Sequence, residues 1–272
     1  MSSSVARRTD LSPADASAAG HEDDAGKPRT GTTSAMRVRR LWKYYGHFPA
    51  LRGLDLELER GRFLTVFGPN GAGKTTLIKV LSTQIKPSEG LVEVGGHDVV
   101  HAADRVRGQI GVISHNTYLY PSLTAFENLK FYGRMYGVGD LEERSRELLE
   151  RVGLRGREDD RVSEYSRGMQ QRLSIARALL HEPEIMFLDE PYTGLDQHAS
   201  RMLRGVLASL HDGRRTIFMV THNLEEGLEM CDEVAIQVAG RICYREPIDR
   251  VDREHFGDTY FECVGGGHKW DS

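Results

Sequence analysis

Two short runs hold the residue types that phosphate chemistry needs. Gly68-Pro69-Asn70-Gly71-Ala72-Gly73-Lys74-Thr75, followed by Thr76, has the spacing G-x-x-x-x-G-K-[ST]. Glycines at those positions let successive backbone N–H groups curl around phosphate oxygens, and a helix opening there adds its partial positive charge. Lys74 is placed to reach the β- and γ-phosphates of a nucleotide, and the Thr75 hydroxyl to ligate Mg²⁺. The second run is Ile185-Met186-Phe187-Leu188-Asp189-Glu190. Its apolar residues read as a buried strand that delivers two acids at its carboxyl end, where α/β sheets bind ligands. Asp189 is expected to hold Mg²⁺, largely through water, and Glu190 to polarise an attacking water as general base.

These groups need a scaffold that brings strand ends together. "FLTVFG" (63–68) is a short apolar run ending at glycine, and "KTTLIKVLSTQI" follows as a helix. "MRVRRLWKYYG" and "LRGLDLELERG" read as strands, the second alternating leucine with charge, and "LVEVGGHDV" reads as a strand and turn. Thr124-x-x-Glu127 is a capping box that opens a helix, and "DLEERSRELLERVGL" is an amphipathic helix closed by Gly153. "MQQRLSIARALLHEP" gives another helix that stops before Pro183; "TIFMVTH" is a further buried strand, and "EVAIQVAGRICYREP" a hairpin around Gly240. Strands alternating with helices indicate an α/β fold, a P-loop NTPase core with a mainly parallel sheet. No N-K-x-D reads guanine and no arginine-rich lid is evident, which argues against a GTPase and a nucleotide kinase.

The bulk of the chain agrees with an ordinary globular domain. It has 272 residues, 39% hydrophobic and 28% charged, enough to bury a sizeable core. A net charge of −4 argues against a protein that grips nucleic acid, and no run approaches the roughly 18 apolar residues of a membrane span. Cys231, Cys243 and Cys263 lie far apart in sequence without a C-x-x-C pair, so reduced thiols are expected rather than zinc or a disulfide framework. Residues 1–35, rich in Ser, Ala, Asp and Gly, are expected to be a disordered tail.

Between the two motifs, "YSRGMQQRLSIARALLHEPEIMFLDEPYTGLD" resembles the signature segment of ATP-binding-cassette ATPases running into Walker B and the D-loop. The usual L-S-G-G-Q is here Tyr165-Ser166-Arg167-Gly168-Met169, which keeps the serine and one glycine. The resemblance covers about residues 36–245. It implies an antiparallel β subdomain and a helical signature subdomain (about 116–180) within a domain spanning 36–250, with 251–272 a short extension. It also implies adenine stacking on Tyr45, γ-phosphate contacts from Ser166 and Gly168 of a second copy, Asp196 in the D-loop, and His222 as the switch histidine. Two such domains would sandwich two Mg²⁺·ATP and dock onto multi-span membrane permease subunits at the cytoplasmic face of the inner membrane, with no nucleic acid involved.

His115 stands eight residues before Leu123-Thr124, where that family usually has a glutamine that binds Mg²⁺ and senses the γ-phosphate. An imidazole there is expected to act through water or as a weaker sensor, because Mg²⁺ prefers oxygen ligands. Tyr118 to Pro121 are expected to meet the membrane subunit. His115, the following "LTAFENLKFYG" and the aromatic "LDEPYTGLD" link look like the haem exporter ATPase of cytochrome c maturation. The "SRGM" signature is similar to exporters of drugs, lipids and polysaccharides, and a soluble non-transport ABC ATPase is a further alternative.

Overall fold

The computed structural model describes residues 34–114 and 116–266. Two sheets organise them. The first is antiparallel, in the order β2 (Phe48–Glu59), β1 (Ser34–Tyr45), β4 (Glu89–Val94), β5 (His97–Asp98). The second is the core sheet, in the order β10 (Arg241–Pro247), β9 (Glu233–Val238), β3 (Phe63–Phe67), β8 (Thr216–Thr221), β7 (Ile185–Asp189), β6 (Ile110–Ser114). All its pairs are parallel except β9 with β10, a hairpin turned by Ala239 and Gly240 at φ 47° and 80°. β3, β7 and β8 are buried at every residue, the near-continuous apolar run that a sheet covered on both faces requires.

Helices cover this sheet: α1 (Lys74–Leu81), α2 (Ala103–Gln109), α3 (Ala125–Tyr136), α4 (Leu141–Arg151), α5 (Arg167–Leu179), α6 (Gln197–Leu210), α7 (Leu224–Leu228) and α8 (Phe256–Gly265). The Thr124 capping box opens α3: its side chain accepts from the Glu127 N–H while Glu127 accepts from the Thr124 N–H. α3, α4 and α5 share one core with the sheet, Leu148, Leu149 and Leu173 packing in the same cluster as Met186 and Leu188.

Three boundaries differ from the sequence reading. Ser34 and Ala35, assigned to the tail, open β1 and are buried there; the rest of the tail lies outside the described residues. α1 ends at Leu81 rather than reaching Ile85, because Thr83 turns left-handed (φ 61°) and the Gln84 N–H returns to the Lys79 carbonyl. The segment read as an extension contains α8, whose Phe256 is 1% exposed and packs at 5.2 Å from the Phe67 ring. Sequence periodicity missed it because Phe256 is its one fully buried residue, with Tyr260 and Cys263 only half-buried against the core.

Candidate functional site

Parallel pairing puts three strand ends at one level. Phe67 pairs with Thr221, and Asp189 with Val220, so the loop after β3, the acids closing β7 and His222 after β8 share an edge of the sheet. The loop after β3 is Gly68–Gly73. Gly71 and Gly73 take φ of 83° and 98°, a region open to glycine at little cost, and Gly73 caps α1 in that conformation. Pro69 is half-buried and Asn70 exposed at the crest, Ala72 is buried, and Thr76 is half-buried in α1.

Lys74, 6% exposed, donates from Nζ to the carbonyls of Gly68 (2.6 Å) and Pro69 (3.2 Å) and stands 3.8 Å from Glu190 Oε1. Burial lowers its pKa below the usual lysine range, and the Glu190 and Asp189 carboxylates push it partly back. Thr75 Oγ1 donates to Asp189 Oδ1 at 3.0 Å. Glu190 Oε2 accepts from Thr221 Oγ1 (3.2 Å), the His222 backbone N–H (3.4 Å) and His222 Nδ1 (2.9 Å). Glu190 has φ 51°, a strained conformation costing of order 1 kcal/mol. It is held by its N–H to the Val220 carbonyl. One network therefore joins Lys74, Thr75, Asp189, Glu190 and His222. Thr221, which the sequence reading passed over, completes it; its place directly before His222 was the available signal.

The arrangement suits a nucleotide phosphate chain. Lys74 supplies a desolvated cation beside backbone donors, and Glu190 is a carboxylate oriented by two side chains, as a general base must be. Thr75 Oγ1 and Asp189 Oδ1 are adjacent hard oxygen donors, which fits a Mg²⁺ held by few protein ligands plus phosphate oxygens. When bound there, Mg²⁺ would neutralise charge on the phosphates.

A second constellation lies where α5 and α6 begin. Ser166 Oγ accepts from the Met169 N–H at 3.3 Å and Asp196 Oδ1 from the Ala199 N–H at 2.7 Å, each capping its helix. A Cβ on Gly168 would meet the Ala199 Cβ at 3.3 Å, so the two helix starts abut. Among the described residues, Ser166, Gly168 and Asp196 make none of the bonds of the Lys74–Glu190 network. Their link to it is indirect: Gln171 Nε2 donates to the Pro191 carbonyl, one residue after Glu190, at 3.3 Å. Tyr45 is 50% exposed at the tip of the β1–β2 hairpin, with Lys43 Nζ 5.6 Å from its ring centroid. β2 runs past the loop, where a Cβ on Gly73 would lie 2.5 Å from the Ala50 carbonyl oxygen. His115 lies outside the described residues.

Comparison with known proteins bears on the family and the fold. A family model described as "ABC transporter" matches residues 51–193. Daunorubicin resistance ATP-binding protein DrrA3 of Streptomyces coeruleorubidus is 41% identical over 83% of this chain and 72% of that protein. Nod factor export ATP-binding protein I of Cupriavidus metallidurans is 35% identical over 82% of this chain and 74% of that protein. A solved dimer of an ATP-binding cassette in a post-hydrolysis state with ADP and Pi superposes with a TM-score of 0.72 at 25% identity. It covers 78% of this chain and 98% of that one.

The relatives' names correct the likeness to the haem exporter, since they speak of drug resistance and Nod factor export. Some of the residues behind that likeness serve the fold: Thr124 and Glu127 cap α3, and Tyr192 of the aromatic link is a core residue. Residues that cap and pack carry little information about cargo. The family itself is shown by the extent of these matches: the chain belongs to the ABC transporter family as an ATP-binding subunit with the ABC ATPase fold, an enzyme that hydrolyses ATP.

Proposed function

We propose that this chain powers an exporter of amphiphilic small molecules of the drug or antibiotic type. The observation that carries this reading is the naming of its relatives: daunorubicin resistance, linearmycin resistance and Nod factor export. None of the described helices is long and apolar enough to cross a membrane. In this reading a multi-span permease supplies the pathway and chooses the cargo. The chain docks on it from the cytoplasmic face of the inner membrane. The docking surface is aromatic: Tyr118, Tyr120, Phe131, Met135 and Tyr136 are each at least 40% exposed. Beside them is a groove of about 400 Å³ in which Arg177 lies between the rings of Tyr118 and Tyr132.

Two copies close on two ATP molecules in this reading. The loop Gly68–Thr75, with Tyr45 under the adenine, binds one face of each nucleotide, and Ser166 and Gly168 of the other copy approach the γ-phosphate. The paired helix starts at α5 and α6 give that second surface its positive end. Glu190 takes the proton from the attacking water, His222 holds the carboxylate in place and contacts the γ-phosphate, and Asp196 lies at the junction of the copies.

The test is affinity purification of the chain from detergent-solubilised native membranes, followed by reconstitution. A multi-span protein should co-purify in stoichiometric amount, and cationic amphiphilic drugs should stimulate ATP turnover of the reconstituted complex. Recovery of the chain alone, or turnover that no amphiphile changes, contradicts the proposal.

A further inference from the structure

The floor beneath the phosphate loop contains one polar side chain that the catalytic network does not use. Gln237 stands in β9 after Val234, Ala235 and Ile236, and all four are fully buried. Its Nε2 donates to the Ala72 carbonyl at 3.0 Å, and the same carbonyl accepts the Gly240 N–H at 2.9 Å. Its Oε1 is buried with no hydrogen-bond partner among the described residues. The backbone of Gln237 closes on the other end of the loop: a Cβ on Gly68 would lie 2.2 Å from its carbonyl oxygen. A Cβ on Gly73 would lie 2.9 Å from Nε2. One residue thus meets the loop at its first glycine, at Ala72 and at the glycine before Lys74.

An aliphatic side chain of the same size would suit this strand better, because a buried amide with an unmade acceptor is destabilising. The benefit lies in the loop. A trans peptide holds its C=O and the following N–H in opposite directions, and no peptide bond among the described residues is cis. Pinning the Ala72 oxygen down toward β9 therefore aims the Gly73 N–H away from the sheet floor, toward the side on which a phosphate must lie.

We infer that Gln237 is a positioning residue for ATP binding, its amide fixing the Ala72–Gly73 peptide so that the loop's N–H groups face the phosphates. This rests on the reading of Gly68–Thr75 as the phosphate cradle. Gln237 touches no nucleotide; it acts through the loop, so its effect falls on ATP affinity rather than on the chemical step.

The experiment compares the full chain with Gln237→Met, Gln237→Glu and Lys74→Ala, measuring Kd for Mg²⁺·ATP, KM, kcat and thermal midpoint without nucleotide. Gln237→Met fills the same space without a donor. It should raise Kd and KM about 3- to 10-fold, the weight of one hydrogen bond. Its kcat should stay within about twofold and its thermal midpoint should equal or exceed that of the unsubstituted chain. Gln237→Glu sets a carboxylate against the Ala72 carbonyl and should weaken ATP binding further. An unchanged Kd in Gln237→Met overturns the inference, as does a thermal midpoint that falls in step with affinity, which a merely structural residue would give. Lys74→Ala separates the two layers. Loss of ATP binding there upholds the cradle whatever Gln237 does, and binding that survives it refutes the cradle and the inference together.

Discussion

Glu190→Gln removes one charge and one acceptor from the centre of the site while keeping its shape. Glu190 Oε2 takes donors from Thr221 and His222, and Oε1 faces Lys74 at 3.8 Å. An amide has a single acceptor oxygen. Keeping it on the Thr221–His222 side preserves those bonds and turns the NH₂ toward Lys74, donor against donor. Loss of a general base costs about 10²–10⁴ in rate, or about 3–5 kcal/mol of barrier. Lys74 loses a partner whose attraction at this distance is of order 4 kcal/mol at an effective dielectric constant of 20, an upper bound for a pair with some solvent access. ATP phosphates replace that partner, so binding survives while chemistry stops. The assay is phosphate release in single turnover, alongside nucleotide affinity and size-exclusion mass with ATP. We expect kcat to fall at least about 100-fold, Kd to stay within about threefold, and an ATP-dependent dimer to accumulate. Turnover within about tenfold of the unsubstituted chain refutes the base assignment. Loss of binding in step with turnover shows instead that Glu190 serves to hold Lys74.

The same electrostatics give a pH dependence. Phosphate binding needs protonated Lys74, whose pKa is lowered by burial, so ATP affinity should decline with rising pH before the ordinary lysine range is reached. Removing the Glu190 charge takes away an influence that raises that pKa, so the decline should begin at lower pH in Glu190→Gln; a shift to higher pH contradicts the assignment. Phe256→Ala should destabilise by about 3–5 kcal/mol, lowering the thermal midpoint by roughly 10 °C, because the ring packs on Phe67 and Tyr244 in the core. A shift below about 2 °C in differential scanning fluorimetry would show that α8 does not anchor there.

The candidate site was legible in sequence where local pattern and chemistry coincide. Gly68–Thr75 needs its glycines in a fixed order, and Asp189 and Glu190 follow an apolar strand that only a buried sheet position explains. The parallel sheet followed from such runs, since β3, β7 and β8 are apolar on both faces. What sequence did not disclose depends on contacts across long separations. Gln237 reaches Ala72 from 165 residues away, and nothing in "VAIQV" marks it as the floor of a phosphate loop. Phe256 belongs to the core although His255 before it and Asp258 after it are exposed. Cargo was the hardest feature to read, because Thr124, Glu127 and Tyr192, among the residues that resembled one subfamily, cap a helix or pack in the core.

In the proposed dimer each ATP site is built by two copies of this chain, so mixing two inactive variants should restore activity. Lys74→Ala removes the cradle's cation, and Ser166→Arg blocks the opposing helix start. Random pairing makes about half of the dimers mixed, each with one intact site of two, so the mixture should recover about a quarter of the unsubstituted single-turnover phosphate release. Each variant alone should release almost none. A mixture as inactive as its parts, or a Ser166→Arg chain that hydrolyses ATP normally by itself, would contradict the shared site.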